Sequence, residues 1–566
     1  MERSGGRNSG TNHLEIVKGR LFVVEFLIFV GVIIFVSILL SKVSDRMGIP
    51  ILLLFILLGM LVGSDGVFKL AFDNYDLANK LCTIALIFIM FYGGFGTNWR
   101  AAKPVAVKAG VLASFGVLVT SLLTGLFCHF LLGMSWLEGL LLGSVLGSTD
   151  AASVFTILRT RKLALKDNTD SLLEMESGSN DPFSYMMTIV FLSLMKGSIS
   201  PGSALLMLIL QVVIGAGIGA IIAGGMVYLL RRRLFSSGGA NEVLLVAVAI
   251  LGYALPEFLG GNGYLSAYII GIVIGNQKFD QKQSLVHFFD GLTMLMQIII
   301  FFLLGLLSNP SRIIPIFLSA LGIMAFMTFI ARPAAVFSLL SLFRRRKSSL
   351  GQKLVVSWAG IRGAASIVFA IIAVSSGVPL AHDLFHIVFA IVLVSLLLQG
   401  GLLPFVSYRT NMYQEDGDVM KTFNDYEDEK AVQFVTTNIH SGHKWIDKQI
   451  MDVFIPQDIR IVMVERENQQ FVPSGDTVLE EGDRLILMAM HYDETSNVRL
   501  KERILYENDS YIGKALRDIT LRPGRRIILI RRDGEIIIPT GDTEFKVDDT
   551  IVFNSIRNHS KTKVKV

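Results

Sequence analysis

Cysteine is nearly absent from this 566-residue chain, with only Cys82 and Cys128, and charged residues make up just 17% of it. Both cysteines lie inside apolar runs without ligand spacing around them, which gives no disulfide framework and no thiolate metal site. The scarcity of charge, against 52% hydrophobic residues, excludes an ordinary soluble protein. The excess apolar surface needs lipid. A net charge of +5 raises nucleic acid as a partner, but the Lys and Arg residues cluster beside hydrophobic segments, the pattern that orients helices in membranes. Nucleic acid is therefore not expected. Nor does any Thr-Val-Gly-Tyr-Gly string of a potassium-channel filter occur. No nucleophile and base constellation or cofactor loop supports an enzyme.

Charge is unevenly distributed. Residues 1–20 are a polar tail, 21–407 carry long apolar runs, and the stretch after Arg409 is rich in Asp, Glu, Lys and Arg. Tyr413 to Glu429 is acidic and short of apolar residues, so 408–430 reads as a linker, followed by soluble units at 431–492 and 493–566.

A membrane helix needs roughly 20 mostly apolar residues, fewer where it is half-length or broken. About thirteen spans satisfy this: Leu21–Val43, Ile49–Gly63, Lys80–Asn98, Val105–Leu132, Trp136–Leu158, Leu172–Met195, Ser203–Leu230, Glu242–Phe258, Leu265–Gly275, Ser284–Leu307, Ile313–Leu342, Leu354–Ser375 and Ala381–Val406. With the N-terminus outside, the basic loops alternate: the inside ones include Arg100/Lys103/Lys108 and Arg231/Arg232/Arg233, while the outside ones hold only Lys69, Lys80, Lys196 and Arg312. An odd count leaves the C-terminal region in the cytoplasm.

Charges at membrane depth cost about 2.5–3.5 kcal/mol each on insertion scales, so those present ask for a function. The fifth span carries Gly147-Ser-Thr-Asp150, the sixth Glu176, Ser177, Asn180 and Asp181, the eleventh Arg332-Pro333, and the twelfth Gly360-Ile-Arg362-Gly363. Glu176 to Asn180 and Ser177 to Asp181 are four-residue steps on one helix side. That side offers two carboxylates, a hydroxyl and an amide. Hard cations want oxygen ligands, and a partly desolvated carboxylate also attracts a proton, so the two compete. Glu176 alternatively forms a packing ion pair with Arg332 or Arg362. Glycines and small polar residues weaken the fifth and twelfth spans near their middles, at equivalent places in two groups of six flanking the seventh. Matching interruptions are the sign of an inverted-repeat transporter, although glycine also serves close helix packing. Asp150 would balance opposed helix N-termini and Arg362 C-termini.

The strings Gly147-Ser-Thr-Asp-Ala-Ala, Glu176-Ser-Gly-Ser-Asn-Asp-Pro182, Ile330-Ala-Arg-Pro333 and Trp358-Ala-Gly-Ile-Arg-Gly-Ala364 resemble those of NhaP-type antiporters in the first monovalent cation:proton antiporter family. The resemblance implies an all-α polytopic membrane protein with two discontinuous crossing helices, a homodimer in lipid, and alternating access. It implies that Asp181 binds the cation or proton beside Asn180, with oxygens from Thr149 and Ser177 and with Asp150 at the crossover. Glu176 and Arg332 would form the buried pair, and Arg362 the crossover charge. An Asn-Asp pair is associated in that family with electroneutral exchange.

Sliding the tail by 66 positions aligns Trp445–Ala489 with Tyr511–Ser555, most clearly Pro473-Ser-Gly-Asp-Thr against Pro539-Thr-Gly-Asp-Thr. Strands Arg460–Glu465 and Arg526–Arg531 precede these turns, and Arg484–Met488 and Thr550–Phe553 follow, which reads as a duplicated α+β unit. The units resemble TrkA-C domains, which implies dimerisation and a small regulatory ligand, cyclic di-AMP or another nucleotide. No Gly-x-Gly-x-x-Gly fingerprint precedes them, so no NAD-binding domain is expected. A potassium-linked regulator favours K⁺ over Na⁺ as the cation exchanged for H⁺.

Overall fold

The computed structural model describes residues 24–42 apart from 26, 51–160, 163–232, 239–277, 282–343, 347–414 apart from 381, and, in the tail, 432–455, 459–466, 469–490, 498–506, 509–521 apart from 520, 527–532, 535–537 and 539–556. The N-terminal tail, most of the linker, and Arg46, Arg161, Lys162, Arg233, Lys278 and Arg344 to Arg346 lie outside the described residues. The chain divides into two compact units, Met1–Asp428 and Glu429–Val566.

The first unit is helical. Its elements are α1 (Leu27–Lys42), α2 (Ile51–Val62), α3 (Tyr75–Gly96), α4 (Ala106–Leu132), α5 (Trp136–Val145), α6 (Ala151–Thr160), α7 (Thr169–Met195), α8 (Pro201–Arg231), α9 (Ala240–Phe258), α10 (Gly263–Gly275), α11 (Lys282–Leu307), α12 (Pro310–Ser341), α13 (Leu350–Trp358), α14 (Ala364–Ser375) and α15 (Leu384–Arg409). Among the described residues, seven of these are long and apolar enough to cross a membrane. The 27-residue α7 is long enough but is not one of the seven, because Asp170, Glu174, Glu176 and Asp181 dilute its apolar character. Each expected span coincides with helix, and the fifth and twelfth are each two helices, α5 with α6 and α13 with α14, broken at 146–150 and 359–363.

Glycines set the closest helix contacts. A Cβ on Gly271 or Gly275 of α10 would fall 2.1 or 2.0 Å from the carbonyls of Phe91 or Phe95 on α3, and one on Gly305 of α11 would fall 2.1 Å from that of Ile56 on α2. Only hydrogen at these positions lets the backbones meet. Arg332 follows a π turn, Met327–Ala331, inside α12. Pro333 lacks the N–H that an unbroken α-helix would use there, and the widened turn accommodates that loss.

The chain does not leave the membrane unit at 408 as a free linker. α15 continues to Arg409, and β2 (Tyr413–Gln414) pairs antiparallel with β1 (Ala164–Leu165), which leads into α7. The apolar residues Leu163, Ala164, Leu165 and Met412 are buried there, which the acidic composition of the following residues concealed.

The tail contains two four-stranded antiparallel sheets. β3 (Val432–Asn438), β4 (Ile459–Arg466), β5 (Gln469–Phe471) and β6 (Arg484–Met490) form one in the order β3-β6-β4-β5. β7 (Val498–Ile504), β8 (Ile527–Arg532), β9 (Glu535–Ile537) and β10 (Thr550–Ile556) form the other in the order β7-β10-β8-β9. Among the described residues, the helical component in each is a single 3₁₀ turn, Ile450–Asp452 and Leu516–Asp518. The duplication extends into the cores: Ile439, Val464, Leu479 and Leu485 correspond at the 66-residue offset to Leu505, Ile530, Phe545 and Ile551.

Candidate functional site

Where α5 ends, the backbone of residues 146–150 is not helical, and the turn Ser148-Thr149-Asp150 faces the middle of α7. The Ser148 hydroxyl donates to Asp181 Oδ1 at 2.5 Å. The Thr149 and Ser177 hydroxyls are 2.8 Å apart, and Asn180 Nδ2 donates to Thr149 Oγ1 at 2.6 Å. The Thr149 N–H donates back to Asn180 Oδ1 at 3.3 Å. These contacts gather Thr149, Ser177, Asn180 and Asp181, all buried, into one cluster. Ser148, hydrogen-bonded to Asp181, is a site residue that sequence reasoning misses. Its signal was its position next to Thr149 in an interrupted helix.

Glu176 lies one turn before Asn180. Both its carboxylate oxygens accept from Arg332, at 2.9 and 2.8 Å, and its Oε1 also accepts from Asn180 Nδ2 at 3.3 Å. The fork of the guanidinium matches the carboxylate, so this pair is neutralised within itself. Asp181 differs: among the described residues no basic side chain pairs with it, and it faces a cavity of about 310 Å³. Thr149, Asp150, Ser177 and Glu174 also line that cavity. An ionised carboxylate removed from water without a partner is costly. A proton or a cation in the cavity would remove that cost.

The two interrupted helices are joined at their breaks. The Asp150 N–H donates to the Ile361 carbonyl at 2.8 Å, and Arg362 Nη1 donates to the Ser148 carbonyl at 2.9 Å. Asp150 therefore precedes the N-terminus of α6 and abuts Gly363, which precedes that of α14, while Arg362 serves a carbonyl beyond the C-terminus of α5. Each charge opposes the partial charge of the helix ends beside it. A network that sequence reasoning missed holds the second break: the Arg362 N–H donates to Ser395 Oγ at 2.9 Å, Ser395 Oγ donates to Gln399 Oε1, and Trp358 Nε1 donates to the Gln399 carbonyl at 3.1 Å. Gln399, a lone amide in an apolar run, was the available signal.

The family described as "Sodium/hydrogen exchanger, transmembrane" matches residues 30–408, and the TrkA-C domain matches 435–490 and 500–554. The chain belongs to the sodium/hydrogen exchanger family. The exchanger is 35% identical over 471 residues to the K(+)/H(+) antiporter NhaP of Alkalimonas amylolytica, covering 82% of this chain and 81% of that protein. It is 33% identical over 514 residues, 89% of each chain, to the K(+)/H(+) antiporter NhaP2 of Shewanella sp. strain ANA-3. The fold of the exchanger is like that of the sodium proton antiporter MjNhaP1 from Methanocaldococcus jannaschii, with a TM-score of 0.59 at 22% identity, over 67% of this chain and 99% of the other.

Among the described residues, no group of three or more His, Cys, Asp or Glu side chains could hold a resident metal ion. Four histidines fall in the membrane part beyond α3, and two of them pair with carboxylates away from the cavity: His382 Nδ1 with Glu138 at 3.1 Å and His386 Nδ1 with Asp383 at 2.7 Å.

Proposed function

We propose that this exchanger moves a monovalent cation, K⁺ in preference to Na⁺, against H⁺ across the cell membrane, electroneutrally and by alternating access. The observation that carries the reading is the buried Asp181 carboxylate, without a basic partner among the described residues and open to a cavity among hydroxyl and amide groups. Asp181 holds either the proton or the cation. Thr149 and Ser177 supply cation oxygens, Asn180 orders those hydroxyls, and Glu176 with Arg332 fixes the turn of α7 beneath them. Asp150 and Arg362 hold the two breaks together while the helices move. The preference for K⁺ rests on the names of the relatives that match most of the chain and on the TrkA-C tail.

The basic loops favour a cytoplasmic tail, and homodimers are our reading for the assembled protein. The tail regulates exchange, with cyclic di-AMP or another nucleotide as its ligand. Its route to the site is the β1–β2 pairing. The Lys166 N–H donates to the Met412 carbonyl at 2.8 Å, directly ahead of α7. There Asp167 and Asn168 hold φ of 59° and 51°, a left-handed turn that Asp and Asn tolerate better than most residues. Gln352 of α13 donates to the Asp167 carbonyl at 3.2 Å. The start of α7, the start of α13 and the exit to the tail thus share one knot.

The test is transport in proteoliposomes. A K⁺ gradient should drive proton movement, and a Na⁺ gradient should drive less. A membrane potential does about 2.3 kcal/mol of work per net charge per 100 mV, so a potential alone should drive none. A cation-dependent flux driven by potential without a pH gradient would refute one-for-one exchange.

A further inference from the structure

Tyr268 of α10 lies against the turn of α7 that carries the site, and no role has been given to it. A Cβ on Gly178 would fall 2.6 Å from the Tyr268 hydroxyl oxygen and 2.7 Å from its Cε2. The phenol is therefore seated on bare backbone between Ser177 and Asp181. It lines the same cavity as those two residues and is only 3% exposed. Among the described residues no hydrogen-bond partner within 3.5 Å meets its hydroxyl, although Thr97 and Ser179 are polar neighbours.

Buried phenol hydroxyls usually find partners, and one without a partner asks for an explanation. The hydroxyls beside Asp181 also bond within the protein, Ser148 with the carboxylate and Thr149 with Ser177 and Asn180, so each has only part of its capacity left for a cation. A cation leaving water needs oxygens in place of its hydration shell, and the Tyr268 hydroxyl, on the lining of the same cavity as Asp181, offers one. The phenol is also held firmly. Gly94, Gly271 and Gly275 bring α3 and α10 into backbone contact on either side of it, and a Cβ on Gly94 would fall 2.3 Å from the Tyr268 carbonyl.

Resting on the exchange reading above, we infer that Tyr268 is a cation ligand of the occupied site, its hydroxyl oxygen completing the coordination that Asp181 begins. The position it holds makes it a determinant of cation affinity rather than of proton binding.

Tyr268→Phe in the full-length exchanger keeps the ring and removes only that oxygen. Since the hydroxyl has no close hydrogen-bond partner among the described residues, the variant should melt near or above the parent temperature, and a transport defect could not be ascribed to folding. In proteoliposomes we expect the KM for K⁺ to rise about tenfold, the effect of losing one good polar contact, at an unchanged maximal rate. Its pH profile at saturating K⁺ should match the parent's. An unchanged KM would overturn the assignment, as would a fall in maximal rate alone. The exchange reading fails separately: a parent protein that exchanges neither K⁺ nor Na⁺ for protons would sink it, whatever Tyr268→Phe does.

Discussion

Asp150 and Ile361 share a backbone hydrogen bond of 2.8 Å, which fastens the break between α5 and α6 to the break between α13 and α14. Gly363 makes the approach possible. A Cβ there would lie 2.3 Å from Asp150 Cβ and 2.5 Å from its Cγ. Gly363→Ala should force the breaks apart, with an overpacking cost of about 1–3 kcal/mol, and exchange should fall sharply. A thermal melt in detergent beside a transport assay checks this; a variant with parental melting and parental exchange would show that the crossing is looser than described.

Glu176 and Arg332 are exposed by 0% and 3%, and each is stranded without the other. Glu176→Gln or Arg332→Ala should destabilise by about 3–5 kcal/mol, with the Glu176→Arg, Arg332→Glu double variant recovering part of the loss. Parental melting of either single variant would mean that the pair contributes nothing.

Much of this was legible in the sequence because membranes make polar residues conspicuous. Asp181, Glu176, Arg332 and Arg362 stood out against lipid-soluble neighbours, and the glycines around 147 and 360 marked the two breaks. What stayed hidden were choices among like residues. Ser148 and Thr149 are adjacent hydroxyls, and only the path of the unwound backbone decides which one reaches Asp181. Tyr268 reads as an ordinary aromatic of an apolar helix, since its unused hydroxyl exists only in three dimensions. Gln399 supports the second break from 37 residues beyond Arg362. The β1–β2 pairing joins segments about 250 residues apart, through strands too short to show a pattern.

The pairing ahead of α7 predicts how the tail communicates. Lys166→Pro deletes the donor to the Met412 carbonyl. If deleting residues 432–566 changes the exchange rate, Lys166→Pro in the full chain should shift the rate towards that of the truncated protein. Full retention of the tail's effect in the proline variant would place the route elsewhere.

In the tail, Asp483 and Asp549 are fully buried and occupy matching places. Arg466 grips the first at 2.7 and 2.8 Å, and Arg532 grips the second at the same distances. Burial alone would raise both carboxyls, but the arginine hydrogen bonds and the Glu480 and Lys546 N–H groups outweigh it and hold them below the usual carboxylate range. Their stabilisation is thus complete above the unfolded carboxylate range near pH 4 and is lost as the pH falls through the lower folded values. Protection of the amides along β6 and β10, relative to their intrinsic exchange rates, should fall only in that acid window. Asp483→Asn should cost about 3 kcal/mol and open β6 at neutral pH. Unchanged protection in β6 would contradict it.

The central claim is that one carboxylate carries proton and cation in turn, and Asp181→Asn tests it most directly. The amide keeps the size and can still accept from Ser148, so the protein should fold and melt close to the parent. Reconstituted into proteoliposomes, it should show no proton movement in response to a K⁺ or Na⁺ gradient at any pH at which the parent exchanges. Near-parental exchange by the folded variant would contradict the claim and move the ion site away from Asp181.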